Sequence, residues 1–140
     1  MKVNELMTRD PAALRSESTA TEAATVMKRE DCGSVPVVDG GKLVGIITDR
    51  DIVLRVVAAK KDPATVKMSE IMTKDPACIG PDTTAAEASK LMSDKQVRRL
   101  PVVENGKLVG MLVIGQLARH ESNSAAGDTL KDVSQPSPKR

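Results

Sequence analysis

The sequence predicts an α+β fold in which two similar repeats each supply a strand, a helix, two further strands and a second helix. The segment P-V-V-D-G-G-K-L-V-G that begins at Pro36 returns 65 positions later, at Pro101, as P-V-V-E-N-G-K-L-V-G. The segment L-M-T-R-D-P-A that begins at Leu6 returns at the same shift as I-M-T-K-D-P-A. Two such repeats in a chain of 140 residues are expected to pack on each other with approximate two-fold symmetry.

The first long helix of each repeat is predicted to begin after a threonine. T-A-T-E at Thr19 and T-A-A-E at Thr84 are capping boxes, in which the hydroxyl accepts an amide of the first turn and the glutamate reaches back. Ala23, Val26 and Met27 follow at helical spacing. We interpret this stripe as part of the core.

A β-hairpin follows each of these helices. In the first repeat the strands are predicted over residues 34–38 and 42–48, and the D-G-G sequence between them is a tight-turn signal. A second helix is predicted over about 49–59 and ends before the K-K-D-P sequence, because proline cannot continue a helix. The equivalent helix of the second repeat, 116–121, is predicted to be shorter.

The chain is therefore divided into a first repeat, residues 1–65, a second repeat, residues 66–121, and a C-terminal tail. From residue 122 the composition becomes rich in serine and alanine, and the chain ends with S-Q-P-S-P-K-R. Such a composition buries little apolar surface. Residues 122–140 are predicted to be a flexible tail.

Composition and charge exclude several classes of function. The chain contains no Phe, Tyr or Trp, so it offers no aromatic platform on which single-stranded nucleic acid could stack. The net charge of +2 is too small to indicate nucleic-acid binding through bulk electrostatics. No apolar run is long enough to span a membrane, and the N-terminus lacks the apolar core of a signal peptide. We expect a cytoplasmic protein with neither nucleic acid nor membrane as a partner.

Metal chemistry and catalysis are not predicted either. Cys32 and Cys78 do not correspond under the 65-residue shift and form no C-x-x-C pair, so we interpret both as small buried apolar residues. His120 is the only histidine and has no cysteine or histidine at ligand spacing. The sequence contains no P-loop and no nucleophile beside a base. We predict that the protein is not an enzyme and holds no metal.

The T-D-R-D sequence of the first repeat has two interpretations. Thr48 ends a predicted strand where a helix begins, a place that suits an anion such as phosphate. Asp51 lies one helical turn further on, and its carboxylate can accept hydrogen bonds from both hydroxyls of a ribose. The same residues form an S/T-x-x-D helix cap. The local pattern permits both interpretations, and the two roles can coexist.

The second repeat differs from the first at these positions. Val113 and Gln116 stand where the first repeat has Thr48 and Asp51. The second repeat instead carries an arginine pair, Arg98 and Arg99, where the first has Gly33 and Ser34. Two adjacent arginines can bind a phosphate through charge-assisted hydrogen bonds, or they can be surface charges.

The doubled pattern M-T-x-D-P, P-V-V-x-x-G-K-L-V-G and T-D-R-D resembles a tandem pair of CBS (cystathionine-β-synthase) domains, or Bateman module, from residue 3 to about 121. Gly45, Thr48 and Asp51 match the family's adenosine-nucleotide signature G-x-x-T-x-x-D. The resemblance implies two repeats packed sheet to sheet. It also implies clefts that are each built from both copies, with T-x-x-D from one copy and the segments before the P-V-V strand from the other.

Carried over to this chain, the family pattern implies one complete nucleotide cleft. The base would lie against aliphatic side chains and backbone, and the phosphates would meet Thr48 and the arginine pair. The residues implied are Ile46, Thr48, Arg50, Asp51, Pro76, Ala77, Arg98, Arg99 and Leu100. The other cleft, around Val113 and Gln116 with Thr8, Pro11, Ala12, Gly33, Ser34 and Val35, is expected to be vacant or weak, because it lacks the ribose-binding carboxylate.

The function implied is a sensor that binds AMP, ADP or ATP without catalysis. CBS pairs commonly associate through their helices, so a homodimer acting on a separate effector protein is expected. S-adenosylmethionine is an alternative ligand that would use Asp51 without needing the arginines, and Arg98 and Arg99 favour a phosphate-bearing ligand over it. A dimerisation or adaptor module without any ligand is the alternative from another class.

Overall fold

The computed structural model describes residues 1–120 and confirms the α+β class, with antiparallel strands and short helices. The predicted tail, 122–140, lies outside the described residues. In chain order the elements are α1 (Val3–Leu6), β1 (Thr8–Arg9), α2 (Ala20–Glu30), β2 (Ser34–Asp39), β3 (Lys42–Thr48), α3 (Asp49–Ile52), a π-helical turn (Val53–Val57), α4 (Met68–Ile71), β4 (Thr73–Lys74), α5 (Ala85–Lys95), β5 (Arg99–Glu104), β6 (Lys107–Val113) and α6 (Ile114–His120).

The order strand, helix, strand, strand, helix is confirmed in both repeats, with two differences in detail. A helix of one turn, α1 or α4, precedes the first strand of each repeat, and that strand is only two residues long. The second helix of the first repeat begins at Asp49 as predicted but continues beyond Ile52 as the π-helical turn.

The chain forms two compact units, each of which draws on both repeats. The Thr48 unit contains residues 12–76 and 106–108, and the Gln116 unit contains residues 1–11, 77–105 and 109–120. Each unit therefore takes its one-turn helix and its two-residue strand from the other repeat. In the Thr48 unit, this exchange sets the M-T-K-D-P sequence of the second repeat beside the hairpin of the first.

Strand β3 lies in the middle of the Thr48 unit. It pairs with β2 along its whole length, from Lys42 opposite Asp39 to Thr48 opposite Ser34. On its other edge it pairs with β4, through Ile46 opposite Thr73. Strand β3 is thus paired on both edges as far as Ile46, and at its end Thr48 lies opposite Ser34.

Glycine is required where the two-residue strands approach the hairpins. A Cβ atom on Gly45 would lie 2.5 Å from Met72 Sδ and 2.9 Å from the Thr73 carbonyl oxygen. The Gln116 unit repeats the arrangement, because a Cβ atom on Gly110 would lie 2.5 Å from Met7 Sδ and 2.9 Å from the Thr8 carbonyl oxygen. Side chains larger than hydrogen do not fit at either position.

Each unit has its own apolar core. The predicted stripe Ala23, Val26 and Met27 is buried in the Thr48 unit, where it packs with residues of β2, β3, the π-helical turn and α4. Helix α5 contributes Ala88 and Met92 to the core of the Gln116 unit. Both long helices begin where predicted, with the hydroxyl of the capping threonine accepting an amide at 3.2 Å. The predicted return bond from Glu22 or Glu87, which would complete a capping box, is not formed among the described residues.

The two cysteines differ from the prediction that both are buried. Cys32 is partly buried and packs against the core of the Thr48 unit, but Cys78 is exposed. Cys78 precedes Ile79, which bridges to Val102 and is buried. Because successive side chains of an extended segment point to opposite faces, burial of Ile79 turns Cys78 outward.

Two surface interactions in the Thr48 unit shift pKa values. The hydroxyl and the amide of Ser16 donate to Asp39 and lower the pKa of its carboxyl below 3.8. The hydrogen bond and charge of Glu17 raise the pKa of Lys67 above 10.5. The stabilising effect of the Asp39 interaction is therefore lost only as the pH falls below 3.8, and that of the Lys67 interaction only as the pH rises above 10.5. Both interactions are intact at neutral pH.

Candidate functional site

Thr48 and Asp51 form a reciprocal cap where β3 ends and α3 begins. The Asp51 amide donates to Thr48 Oγ1 at 3.0 Å, and the Thr48 amide donates to Asp51 Oδ2 at 3.0 Å. The capping interpretation of the T-D-R-D sequence is therefore confirmed. Among the described residues no amide donates to the other carboxylate oxygen, Oδ1, so the cap itself does not use the full acceptor capacity of Asp51.

Arg55 is the charged neighbour of that second oxygen. Its Nε atom lies 3.8 Å from Asp51 Oδ1, and its NH1 group donates to the carbonyl oxygen of Ile71 at 2.7 Å. Only 14% of the Asp51 side chain is exposed. Our sequence analysis missed Arg55, although the four-residue spacing from Asp51 on a predicted helix is a signal that would have found it.

Ser34 lies beside Thr48 on the neighbouring strand. The two residues are directly opposite in the β2–β3 register, so their side chains share one face of the sheet. Ser34 Oγ is buried and has no hydrogen-bond partner among the described residues. The family pattern assigns Ser34 to the cleft of Val113 and Gln116, an assignment that stays a prediction. Within its own unit, the strand register sets Ser34 next to Thr48.

Gly33, the residue before Ser34, contacts the first residue of α3. Its carbonyl oxygen accepts the Asp49 amide at 2.9 Å, and a Cβ atom on Gly33 would lie 3.1 Å from Asp49 Oδ2. The segment that precedes β2 is thereby held against the first residue of α3. We use the term Thr48 corner for Ser34, Thr48, Asp51 and Arg55.

The site residues implied by the family pattern fall into two groups. Those in the Thr48 unit lie along β3, at the start of α3 and just after β4; they are Ile46, Thr48, Arg50, Asp51 and Pro76. Those in the Gln116 unit are Ala77, Arg98, Arg99 and Leu100.

Within the Gln116 unit, the arginine pair lies at the start of β5. The carbonyl oxygen of Arg98, an exposed residue, accepts the Ile114 amide at 2.9 Å, the bond that Gly33 makes in the other unit. Arg99 is half-buried. The side chain of Leu100 is fully buried in the core of its unit, which leaves its backbone as the part able to meet a ligand.

Gln116 forms a different corner in its own unit. Its Oε1 atom accepts the Val113 amide at 2.8 Å, and its Nε2 group donates to Thr8 Oγ1 at 2.9 Å. The residue is 9% exposed. Gln116 thus keeps the capping role of Asp51, but its remaining polar group is already bonded to a threonine and carries no charge.

Two other properties concern the described part of the chain. Residues 1–120 contain no group of three or more histidine, cysteine, aspartate or glutamate side chains close enough to hold a metal ion. None of the helices over the same residues is long and apolar enough to cross a membrane.

Comparison with known proteins gives a consistent family. The family model of the CBS domain matches this chain twice, over residues 3–58 and 68–123. The CBS domain-containing protein YhcV of Bacillus subtilis is 40% identical over 133 residues, which are 94% of each chain. Hypoxic response protein 1 of Mycobacterium tuberculosis is 31% identical over 133 residues, 94% of this chain and 93% of that protein.

Solved structures agree with the fold. The crystal structure of Hypoxic Response Protein I with two coordinated zinc ions superposes with a TM-score of 0.80 at 31% identity, over 86% of this chain and 98% of that one. CBSX2, solved in complex with AMP, superposes with a TM-score of 0.73 at 26% identity, over 85% of this chain and 94% of that one.

Proposed function

Because this chain belongs to the CBS domain family, we propose that it is a regulatory module that binds AMP, ADP or ATP at the Thr48 corner without catalysing a reaction. The observation that carries this proposal is the difference between the two oxygens of Asp51: Oδ2 caps the helix, and Oδ1 accepts no amide from residues 1–120. A carboxylate oxygen in that position can accept the hydroxyls of a ribose. The complex of the related CBSX2 with AMP supports the choice of ligand class.

Two hydroxyls of the corner can serve the phosphate. Thr48 Oγ1 accepts the Asp51 amide, so its own proton is available to a phosphate oxygen. Ser34 Oγ shares that face and lacks a partner among residues 1–120. A bound phosphate would satisfy a buried group that is costly to leave unpaired. We propose that the base packs against Ile46, to which the family pattern adds Ala77 and backbone.

The arginine pair, together with Ala77 and Leu100, enters the proposal through the family pattern. If Arg98 and Arg99 bind phosphate, replacing both by alanine is expected to weaken ATP binding about tenfold or more, since a charge-assisted hydrogen bond is worth about 1.5–3 kcal/mol. Binding of adenosine, which has no phosphate, is expected to be unchanged. Isothermal titration with AMP, ADP, ATP and adenosine measures both effects.

The matched control is a second double variant, which removes two positive charges from a different part of the surface. Lys28 and Arg29 are adjacent exposed residues in the last turn of α2, and the double variant Lys28→Ala, Arg29→Ala is expected to bind ATP like the wild type. Equal ATP affinity in the wild type and the Arg98→Ala, Arg99→Ala variant would show that the arginines are only surface charges.

The same titrations distinguish the alternatives. S-adenosylmethionine uses a ribose but no phosphate chain. Binding of this ligand in preference to all the phosphate-bearing ones would identify the Thr48 corner as an adenosyl site of another kind. A wild-type chain that binds none of these ligands would leave the adaptor function, in which the protein serves only to bring partners together.

We further propose that the chain forms a homodimer through the π-helical turn. Val53, Leu54 and Val57 are 55%, 48% and 66% exposed, which is unusual for neighbouring large apolar side chains. Burying this face in a second copy would remove it from water. The effector that such a dimer would regulate is a separate protein of unknown identity.

A charge in this face tests the proposed dimer. The Leu54→Glu variant is expected to shift the dimer toward monomer, because a carboxylate buried without a partner is costly. Sedimentation at several protein concentrations measures the change, and Arg29→Glu on the exposed part of α2 is the control. A wild-type chain that stays monomeric at all concentrations would contradict the proposal.

A further inference from the structure

We infer that Arg55 is a positioning residue that holds the Asp51 carboxylate in the orientation needed to accept both ribose hydroxyls, an inference that rests on the proposed nucleotide site. The amide of Thr48 anchors Asp51 at Oδ2. The position of Oδ1 then depends on rotation of the carboxyl group. Arg55 lies on the side toward which Oδ1 points, with Nε at 3.8 Å.

The distance between Arg55 and Asp51 allows Arg55 to orient the carboxylate while the carboxylate still accepts hydrogen bonds from the ribose. At 3.8 Å the guanidinium attracts Oδ1 by charge without forming a direct hydrogen bond. The lone pairs of Oδ1 therefore remain available to a ligand. Arg55 acts on the ribose through Asp51, and the proposal requires no contact between Arg55 and the nucleotide.

The second contact of Arg55 explains how its position is held. NH1 donates to the carbonyl oxygen of Ile71, the last residue of α4. Met72 packs on Gly45, and Thr73 pairs with Ile46. One planar guanidinium thus links Asp51 to the segment that enters β4. A lysine has a single ammonium group on a flexible chain and lacks this fixed fork of donors.

Burial distinguishes this pair from the other ion pairs between described residues. In those pairs the carboxylate side chain is 45% to 83% exposed, whereas that of Asp51 is 14% exposed. Exposed pairs are screened by water and contribute little. A less exposed carboxylate is affected more strongly by a nearby charge.

The π-helical turn adds an independent reason to examine this residue. Arg55 is the central residue of the turn Val53–Val57, in which the Ala58 amide donates to the Val53 carbonyl oxygen at 2.8 Å. Turns of this kind are rare and are frequently found at functional sites.

The test compares ADP with dideoxy-ADP, which lacks both ribose hydroxyls. The wild type is expected to prefer ADP, and Arg55→Ala is expected to reduce that preference about fivefold, which corresponds to the upper end of the range for exposed ion pairs. Arg55→Lys is expected to lie between the two. A general structural defect would weaken both ligands equally and leave the ratio unchanged. In the control Arg29→Ala, which removes an exposed pair of the same 3.8 Å length, the ratio is expected to stay at its wild-type value.

A measurement without ligand separates this inference from the proposed function. The Thr48 amide donates to Asp51, so loss of Arg55 is expected to speed its hydrogen exchange, while amides of β2 keep their rates. An unchanged Thr48 rate in Arg55→Ala, or an unchanged preference for ADP, overturns the positioning role. A wild type that binds neither nucleotide overturns the proposed function and the ribose role of Arg55 with it.

Discussion

Replacement of Asp51 by alanine is expected to abolish measurable nucleotide binding. If the carboxylate accepts both ribose hydroxyls, the variant loses two charge-assisted hydrogen bonds of about 1.5–3 kcal/mol each. The dissociation constant would then rise by a factor of at least about one hundred. Titration of the wild type and the variant with ADP measures the change, and a stoichiometry of about one nucleotide per chain is expected for the wild type.

The folding role of Asp51 has to be separated from its binding role. Asp51→Ala also removes half of the cap and is expected to lower the free energy of unfolding by about 1 kcal/mol. Asp51→Asn keeps an oxygen for the Thr48 amide, so it is expected to retain most of the stability while it loses the charge that the ribose needs.

Gln116→Ala is the matched variant at the other corner. We expect it to leave ADP affinity unchanged, because Gln116 is bonded within its own unit to Val113 and Thr8. The proposed choice of corner would be wrong if nucleotide binding survived Asp51→Ala and disappeared in Gln116→Ala.

Replacement of Gly45 by alanine is expected to destabilise the Thr48 unit by about 1–3 kcal/mol, the usual cost of overpacking. The new Cβ atom would lie 2.5 Å from Met72 Sδ and 2.9 Å from the Thr73 carbonyl oxygen. The sulfur belongs to a flexible side chain that can move, but the carbonyl oxygen belongs to β4 itself. We therefore expect β4 to shift away from β3. Denaturant unfolding measures the loss as a lower midpoint.

Two further variants sharpen the interpretation of Gly45→Ala. Adding Met72→Ala removes the contact with sulfur and leaves the contact with the Thr73 oxygen, so only part of the stability is expected to return. Gly115→Ala is the control, because no atom of the described residues outside its chain neighbours and the α6 backbone lies within 4 Å of its Cβ position. There alanine is expected to stabilise the helix by about 0.5–1 kcal/mol. A Gly45→Ala chain as stable as the wild type would contradict the close approach of β4.

Much of the local structure was predictable because it depends on residues close together in the chain. The capping threonines Thr19 and Thr84, the hairpin of β2 and β3, and the cap formed by Thr48 and Asp51 each involve neighbours within a few positions. Cys78 was predicted incorrectly, since its exposure depends on which neighbour enters the core.

The candidate site was predictable only in part. Thr48 and Asp51 were identified from their motif, and the difference at Val113 and Gln116 from the repeat. The neighbourhood of Ser34 was not, because the register between two strands decides which side chain lies opposite Thr48. The spacing of Arg55 from Asp51 is visible in the sequence, but its contact with Ile71, sixteen residues away, is not.

By itself the sequence determined that two CBS repeats are present, where their helices are capped, and which repeat carries the T-x-x-D motif. These properties follow from motifs and from short-range hydrogen bonds. The tertiary structure decided that each unit takes its one-turn helix and first strand from the other repeat, that Ser34 lies opposite Thr48, and that Arg55 lies beside Asp51. The physical reason is that strand pairing and close packing bring together residues that are far apart in the chain. At Gly45, for example, the absence of a side chain allows β4 to approach β3.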